Sequence, residues 1–234
     1  MNPYCQHGGV TIYHGNCREI LPALPKADLV LTDPPYGLGE NARRVASRGR
    51  SSAITDYGDF DWDTEPASAE EIALTLRAAV LAIIWGGNYF GLQPSRGWLV
   101  WDKLNSGDFA DGELAWTNLP TAVRIFRFRW NGMIRDGEAR GFPRVHPTQK
   151  PIELMTWCLS FVPQAQVVLD PFAGSGTTLI AAKNLGRRVI GIELNERYCE
   201  IAAKRLSQEV FDFSPAPEIA AKRLSQEALC LFSD

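Results

Sequence analysis

Residues 166–178 read QVVLDPFAGSGTT. The first five, Gln166 to Asp170, are a short apolar, β-branched run of the kind that fills a strand buried on both faces. Pro171 cannot continue a ladder, and Gly174, Ser175 and Gly176 turn the chain into a helical stretch that runs from Thr177 to about Leu185. Arg188 to Ile192 (RVIGI) reads as the next strand and ends at Glu193, and another helix starts near Glu196. Strand, glycine turn, helix and strand in succession make the repeating unit of a mostly parallel α/β sheet.

A glycine turn that opens a helix at the carboxyl end of a buried strand aims backbone N–H groups at a ligand. A nucleoside triphosphate loop needs GxxxxGK[ST], and no lysine follows here; a dinucleotide loop needs a third glycine where Leu179 stands. A nucleoside with a short charged tail remains. Glu193, 23 residues after Asp170, stands where such sheets place a ribose-hydroxyl acceptor.

Outward from this unit, Val10–Tyr13 and Asp28–Thr32 read as strands, and Arg18–Leu24 as a helix ended by Pro25. Asp28–Thr32 runs into Asp33-Pro34-Pro35-Tyr36, where two prolines force the chain out of the sheet. An acid, a rigid turn and an aromatic ring therefore sit at the carboxyl end of a second buried strand, the edge where open α/β sheets bind ligands. Residues 37–63 form a long loop rich in Gly, Ser and Arg. A helix is expected over Ser68–Ala79, with Ser68 and Glu71 as its capping box. Leu81–Trp85 and Trp98–Trp101 read as strands, and Asn105–Phe109 as loop. Glu113–Trp116 and Ala122–Trp130 are expected to pair as a hairpin, and Ile152–Phe161 to form a helix with Pro151 in its first turn.

The chain has 234 residues, of which 45% are hydrophobic and 22% charged, enough for one domain with a sizeable core. Its longest apolar run, Ala78 to Trp85, is too short to cross a membrane, and the first residues show no secretory signal, so a cytoplasmic protein is expected. The five cysteines form no CxxC pair and the three histidines complete no metal-ligand spacing, so reduced structural thiols and no metal are expected. The net charge is −3, yet residues 122–150 carry seven basic side chains against two acidic ones. Arg43, Arg44, Arg48 and Arg50 add a second basic stretch. A basic face on an acidic body suits a polyanion. EIAAKRLSQE at 200–209 recurs at 218–227, with Pro215 and Pro217 between the copies. This reads as a duplicated tail over 211–234 without chemistry of its own, and leaves a homodimer open.

DPPYG at 33–37, followed much later by DPFAGSGTT at 170–178 and GIELNERY at 191–198, resembles the amino-methylating DNA methyltransferases, which make N6-methyladenine or N4-methylcytosine. His146-Pro147-Thr148-Gln149-Lys150-Pro151, Trp101-Asp102-Lys103 and Gly86-Gly87-Asn88-Tyr89 belong to the same likeness. It implies a Rossmann-like methyltransferase sheet, mostly parallel with an antiparallel hairpin. The catalytic motif precedes the cofactor motif, a circularly permuted order. Residues 1–210 would be the catalytic domain.

The resemblance implies S-adenosylmethionine as methyl donor and double-stranded DNA as partner. An exocyclic amino nitrogen is a poor nucleophile because its lone pair is delocalised into the ring. Asp33 and the carbonyl of Pro34 offer hydrogen-bond acceptors for its hydrogens, Pro35 stiffens the turn, and Tyr36 offers a face on which a flipped-out base can stack. Phe172, Gly174, Ser175, Gly176, Thr177 and Thr178, with Asp170, would line the methionine and ribose end of the cofactor. Glu193 would take the ribose hydroxyls, and Thr148 and Lys150 the methionine carboxylate. Asn16, in Gly15-Asn16-Cys17, stands where relatives often carry an acid that touches the adenine.

Residues 104–145 are short for a target-recognition region, so a short DNA site is expected. Arg124, Arg127 and Arg129 read as one basic side of a strand whose apolar side is Ile125, Phe126 and Phe128. Those arginines, and the ones in the loop, are candidates for DNA contact. The reading is adenine N6-methylation, with cytosine N4-methylation as runner-up. Protein glutamine or RNA methylation and a non-catalytic DNA-binding relic are the remaining alternatives.

Overall fold

A computed structural model of the chain describes residues 1–37, 65–104, 110–130 and 149–207. Among these residues nine strands form one sheet: β1 Cys5–His7, β2 Val10–His14, β3 Ala27–Thr32, β4 Ala79–Trp85, β5 Gly97–Asp102, β6 Gly112–Thr117, β7 Arg124–Arg127, β8 Val167–Asp170 and β9 Arg188–Glu193. Their order across the sheet is β1-β2-β9-β8-β3-β4-β6-β5-β7. The five strands β2, β9, β8, β3 and β4 are mutually parallel, and β1 and β6 run against their neighbours. Among the described residues the helices are α1 Cys17–Ile20, α2 Ala69–Arg77, α3 Ile152–Ser160, α4 Thr177–Asn184 and α5 Glu196–Ser207. This is the mostly parallel α/β, Rossmann-like sheet expected from the strand–turn–helix pattern.

Side-chain alternation divides the core in two. Leu29, Leu31, Ile83 and Trp85 point to the face covered by α3, α4 and α5, where they meet Leu154, Met155, Leu159, Leu179 and Ala202. Val30, Ala82, Ile84, Leu169 and Ile192 point to the other face and meet Cys17, Ile20 and Leu21. Central parallel strands need apolar residues on both faces, and the runs DLVLT, AIIW and VVLD supply them.

One local expectation holds in detail, and two are adjusted. Ser68 caps α2, with reciprocal bonds between its side chain and Glu71 N–H and between Glu71 and Ser68 N–H. The stretch 18–24 is tighter than a continuous helix: after the single turn of α1 it continues as a 3-10 turn over Leu21–Ala23, where Pro22 lies early in the turn. Pro151 occupies the N-cap of α3 rather than its first turn.

The expected hairpin between 113–116 and 122–130 does not form. Strand β6 pairs antiparallel with both β4 and β5, whereas β7 pairs in parallel with β5 at the sheet edge. Burial explains the difference. Ala115, Trp116 and Thr117 are buried and need neighbours on both sides, but β7 is largely exposed and suits an edge. The hairpin is therefore β5–β6.

Candidate active site

All five parallel strands present their carboxyl ends to one edge, and Asp33, Asp170, the glycine turn, Glu193 and Asn16 gather there. Asp33 follows β3, and the glycine turn follows β8. The two strands are direct neighbours in register Val30↔Leu169. Thr32 Oγ1 donates to Asp170 Oδ1 at 2.6 Å, and Phe172 N–H donates to the same oxygen at 3.1 Å. Burial raises the Asp170 carboxyl to about 6 against the hydrogen bonds from Thr32 and Thr178. Asp170, expected to line the cofactor, has its carboxylate committed to the fold: it pins the glycine turn to β3.

Next in the sheet is β9, which ends at Glu193. Glu193 Oε2 accepts the N–H of Gly174 at 2.7 Å, and Oε1 that of Asn195 at 2.8 Å. Burial raises this carboxyl above its ordinary value, against those backbone donors. Gly176, at φ +84°, caps α4, and a Cβ there would come within 2.9 Å of Ala202. Arg205 of α5 donates to Ser175 O at 2.6 Å and to Ser175 Oγ at 3.0 Å, fixing the crest of the turn from behind. Ser175, Thr177 and Thr178 are buried beneath it, and Phe172 is partly exposed.

Asn16 lies at the same edge, one residue beyond Gly15, whose N–H bonds Glu193 O at 2.9 Å. Its Oδ1 accepts from Arg18 N–H at 2.9 Å and so caps α1.

Asp33 sits in a compact charged cluster. Tyr36 Oη donates to Asp33 Oδ1 at 2.5 Å. Lys150 Nζ lies 2.6 Å from Asp33 Oδ2, 2.9 Å from Glu113 Oε2 and 3.3 Å from Tyr36 Oη. Lys103 forms an ion pair with Glu113 from the other side. Lys150 is only 5% exposed. Burial opposes its charge, but Asp33 and Glu113 outweigh burial and raise its pKa. Glu113 is lowered to about 2, because Lys150 and Lys103 more than offset burial. Burial lifts the Asp33 carboxyl, and Lys150 pulls it back. The sequence reading gave Lys150 to the cofactor carboxylate; the structure brings its ammonium to Asp33 and Glu113. Trp130 Nε1 donates to Gln149 O at 3.0 Å and holds the backbone beside Lys150.

The turn at 33–36 is braced from outside. Pro35 O accepts from Ala67 N–H at 3.0 Å, just ahead of α2, while Pro34 is buried. The Tyr36 ring stacks on Tyr89, centroids 5.0 Å apart, and meets Phe90 edge-on at 6.4 Å. Gly86, at φ +67°, packs under that ring; a Cβ there would lie 2.0 Å from it. The Gly86-Gly87-Asn88-Tyr89 string thus leaves space for Tyr36 and supplies a second ring beside it.

Glu113 and Lys103 were not among the expected site residues. Glu113 opens an otherwise apolar stretch, and only the β5–β6 pairing brings it to Lys103. Arg124, Arg127 and Arg129 are exposed. They do not share one side with the apolar residues on the other: Phe126 and Phe128 are partly buried on the core, whereas Ile125 is 52% exposed. Arg127 pairs with Asp102 at 3.4 Å. Because β7 is parallel to β5, Arg127 and Arg129 come to the same edge as the site, and Arg124 starts the strand. Thr148, Arg43, Arg44, Arg48 and Arg50 lie outside the described residues, as do loop 38–64 and the tail beyond 207.

Among the described residues, the thiols nearest the site are held protonated by burial. Burial lifts Cys17 to about 11 and Cys199 to about 12. Among the described residues, no group of His, Cys, Asp and Glu could hold a metal ion, and no helix is long and apolar enough to cross a membrane.

A family model described as DNA methylase matches residues 95–204. The chain is 32% identical over 213 residues to the putative methylase YubD of Escherichia coli K12, covering 82% of this chain and 88% of that protein. It is 28% identical over 261 aligned positions to the type II methyltransferase M.ScaI of Streptomyces caespitosus, covering 88% and 84% of the two. The crystal structure of an M1.HpyAVI–SAM complex superposes with a TM-score of 0.53 at 26% identity, covering 84% of this chain and 99% of that one.

Proposed function

The chain belongs to the N6/N4 DNA methylase family, and from that premise we propose that it methylates the exocyclic N6 amino group of adenine in double-stranded DNA. S-adenosylmethionine supplies a methyl group already activated on a sulfonium. The observation that carries the reading is the adjacency of β3 and β8, which sets Asp33 beside the glycine turn, joined through Thr32 and Asp170.

The residues present fit that cofactor. Glu193 is a carboxylate at the end of β9, suited to ribose hydroxyls, and it already braces Gly174. Phe172 and the turn 174–178 would hold the remainder, with Asn16 towards the adenine and Thr148 near the methionine end. Lys150 lies close enough to Asp33 to tie the two halves together electrostatically.

Asp33 and the carbonyl of Pro34 accept the two amino hydrogens of the target base. That draws the nitrogen towards tetrahedral geometry and aims its lone pair. Tyr36, backed by Tyr89, provides the stacking surface for a base taken out of the duplex. The remaining requirement is in-line positioning, which a rigid turn of two prolines serves. No covalent enzyme intermediate is needed. Arg127 and Arg129 would contact DNA at the same edge, with Arg124 reaching it from the start of β7, joined by Arg43, Arg44, Arg48 and Arg50 from loop 37–63; residues 104–145 would read the target within a catalytic domain spanning 1–210.

The Asp-Pro-Pro-Tyr string favours adenine over cytosine, although both bases present an amino group to the same acceptors. Mass spectrometry of nucleosides from unmethylated duplex DNA incubated with the protein and S-adenosylmethionine tests this. N6-methyladenine is expected. N4-methylcytosine would reverse the base assignment and keep the chemistry. No modified base in duplex DNA would overturn the proposal.

A further inference from the structure

Lys150 is shared. Its ammonium sits between two carboxylates that come from opposite sides of the cluster, Asp33 after β3 and Glu113 on β6. Each Asp33 oxygen already accepts one hydrogen bond, from Tyr36 on Oδ1 and from Lys150 on Oδ2. A carboxylate can accept more, but a buried ammonium held by it alone would draw off most of its charge and leave a weak acceptor for a neutral amino group. Glu113 divides the ammonium's field, and Lys103 in turn divides that of Glu113.

We propose that Glu113 is a positioning residue for methyl transfer: by taking a share of Lys150, it keeps Asp33 a strong hydrogen-bond acceptor and keeps the ammonium paired when the base's amino group arrives. This rests on the reading of Asp33 as acceptor for that amino group. Asp33 and the Pro34 carbonyl are the acceptors assigned to the amino group, and Glu113 faces Asp33 across Lys150. Its influence reaches Asp33 through Lys150 and directly as a like charge, and its Oε2 also lies 3.5 Å from Tyr36 Oη. A buried ammonium with a single partner would have to stay on it, because leaving would strand the charge. With two partners it can lean towards Glu113 without becoming unpaired.

Among the described residues, the groups that face Asp33 are Lys150 and Glu113 across the cluster, Tyr36 on its own turn and Asp170 at the end of the neighbouring strand, with Lys103 behind Glu113. This set gives two substitutions with opposite effects. Glu113→Gln removes a negative charge and hands Lys150 wholly to Asp33, so the Asp33 pKa falls. Lys103→Met removes a positive charge and strengthens the hold of Glu113 on Lys150, so the Asp33 pKa rises.

The test combines carboxylate 13C NMR titration of Asp33 with steady-state methylation of duplex DNA across pH. For Glu113→Gln the expected result is kcat at least tenfold lower, an unchanged dissociation constant for S-adenosylmethionine, and an acid limb moved to lower pH. For Lys103→Met the acid limb and the Asp33 titration move to higher pH. If Glu113→Gln does not fold, the Lys103→Met titration alone decides. An Asp33 titration that stays put in the folded variants overturns the proposal, as does a loss of kcat that tracks a loss of cofactor binding. The NMR arm needs no turnover. A wild-type protein that methylates no DNA yet shows both shifts would refute the assigned reaction and keep the coupling.

Discussion

Thr32 and Asp170, 138 residues apart in the chain, share a buried hydrogen bond of 2.6 Å between the ends of neighbouring strands. It joins the strand that presents the acceptor carboxylate to the strand that presents the glycine turn. Removing the donor with Thr32→Val leaves a buried carboxylate short of one partner, which costs about 1–3 kcal/mol. Urea denaturation would register that loss. The Asp170 carboxyl is raised to about 6 in the folded protein. A raised carboxyl binds its proton more readily folded than unfolded. Its stabilising contribution is therefore complete below about pH 4, its unfolded value, and is lost as pH rises through 6. Asp170→Asn should remove that dependence, on the order of ~3 kcal/mol between pH 4 and 7. An unaltered stability profile in the variant would show that Asp170 does not titrate in this range.

Replacing Asp33 by Ala should reduce methyl transfer by at least ~10²-fold, the scale seen when a preorganised group facing a reacting centre is removed. Cofactor binding should persist, because Glu193 and the glycine turn are untouched. Folding should persist as well: Lys150 keeps Glu113 as a partner at 2.9 Å. Isothermal titration calorimetry beside a tritiated-methyl assay separates the two effects. Substantial turnover by the variant would remove Asp33 from its role.

Glu193 supports the glycine turn through Gly174 and the start of α5 through Asn195. Charge-assisted hydrogen bonds of this kind contribute about 1.5–3 kcal/mol, so Glu193→Ala should weaken S-adenosylmethionine binding ~10- to 100-fold. Calorimetry reads this directly, and an unchanged affinity would show that the ribose is held elsewhere.

Legibility in the sequence followed burial and chain locality. The strands 28–32 and 166–170 and their turns were readable because each is a local pattern: an apolar run stopped by proline, then residues of special chemistry. The capping box at Ser68 and Glu71 was readable for the same reason. Strand partners were not. Trp98–Trp101, Glu113–Trp116 and Ala122–Trp130 look alike as short β-prone runs, and proximity in sequence favoured joining the last two. The sheet instead inserted the most buried run, 115–117, between β4 and β5 and left β7 at the edge. Glu113 was missed as a direct consequence, since only that pairing carries it to Lys103 and Lys150. Lys150 was recognised as a site residue, but its contact with Asp33 spans 117 positions of sequence, and no local pattern reports it.

Gly86 carries a steric demand that a single methyl group should expose. Its φ is +67°, and a Cβ would meet the Tyr36 ring at 2.0 Å. Left-handed backbone costs a non-glycine residue about 1–2 kcal/mol, and overpacking adds a further ~1–3 kcal/mol. Gly86→Ala should therefore lower the melting temperature and displace Tyr36 from Tyr89, with methyl transfer falling more than cofactor affinity. Thermal denaturation with parallel kinetics checks both. A variant as active as wild type would mean that the ring is free to move without consequence.

Arg127 and Arg129 stand at the edge that carries Asp33, and Arg127, its side chain 67% exposed, pairs with Asp102, 36% exposed, at 3.4 Å. An exposed pair of this kind holds its arginine weakly, at about 0–1 kcal/mol, so a phosphate can replace the carboxylate at little cost. Each phosphate contact releases condensed counterions and adds close to ~1 to the slope of log affinity against log salt. Arg127→Ala and Arg129→Ala should each reduce that slope by about 1 for duplex DNA and weaken binding similarly across sequences. Arg124, at the far end of β7, should matter less. Fluorescence anisotropy over a salt series gives the slopes. Equal slopes for wild type and both variants would place the DNA away from β7, and a change confined to one sequence would make these arginines readers of bases rather than of phosphates.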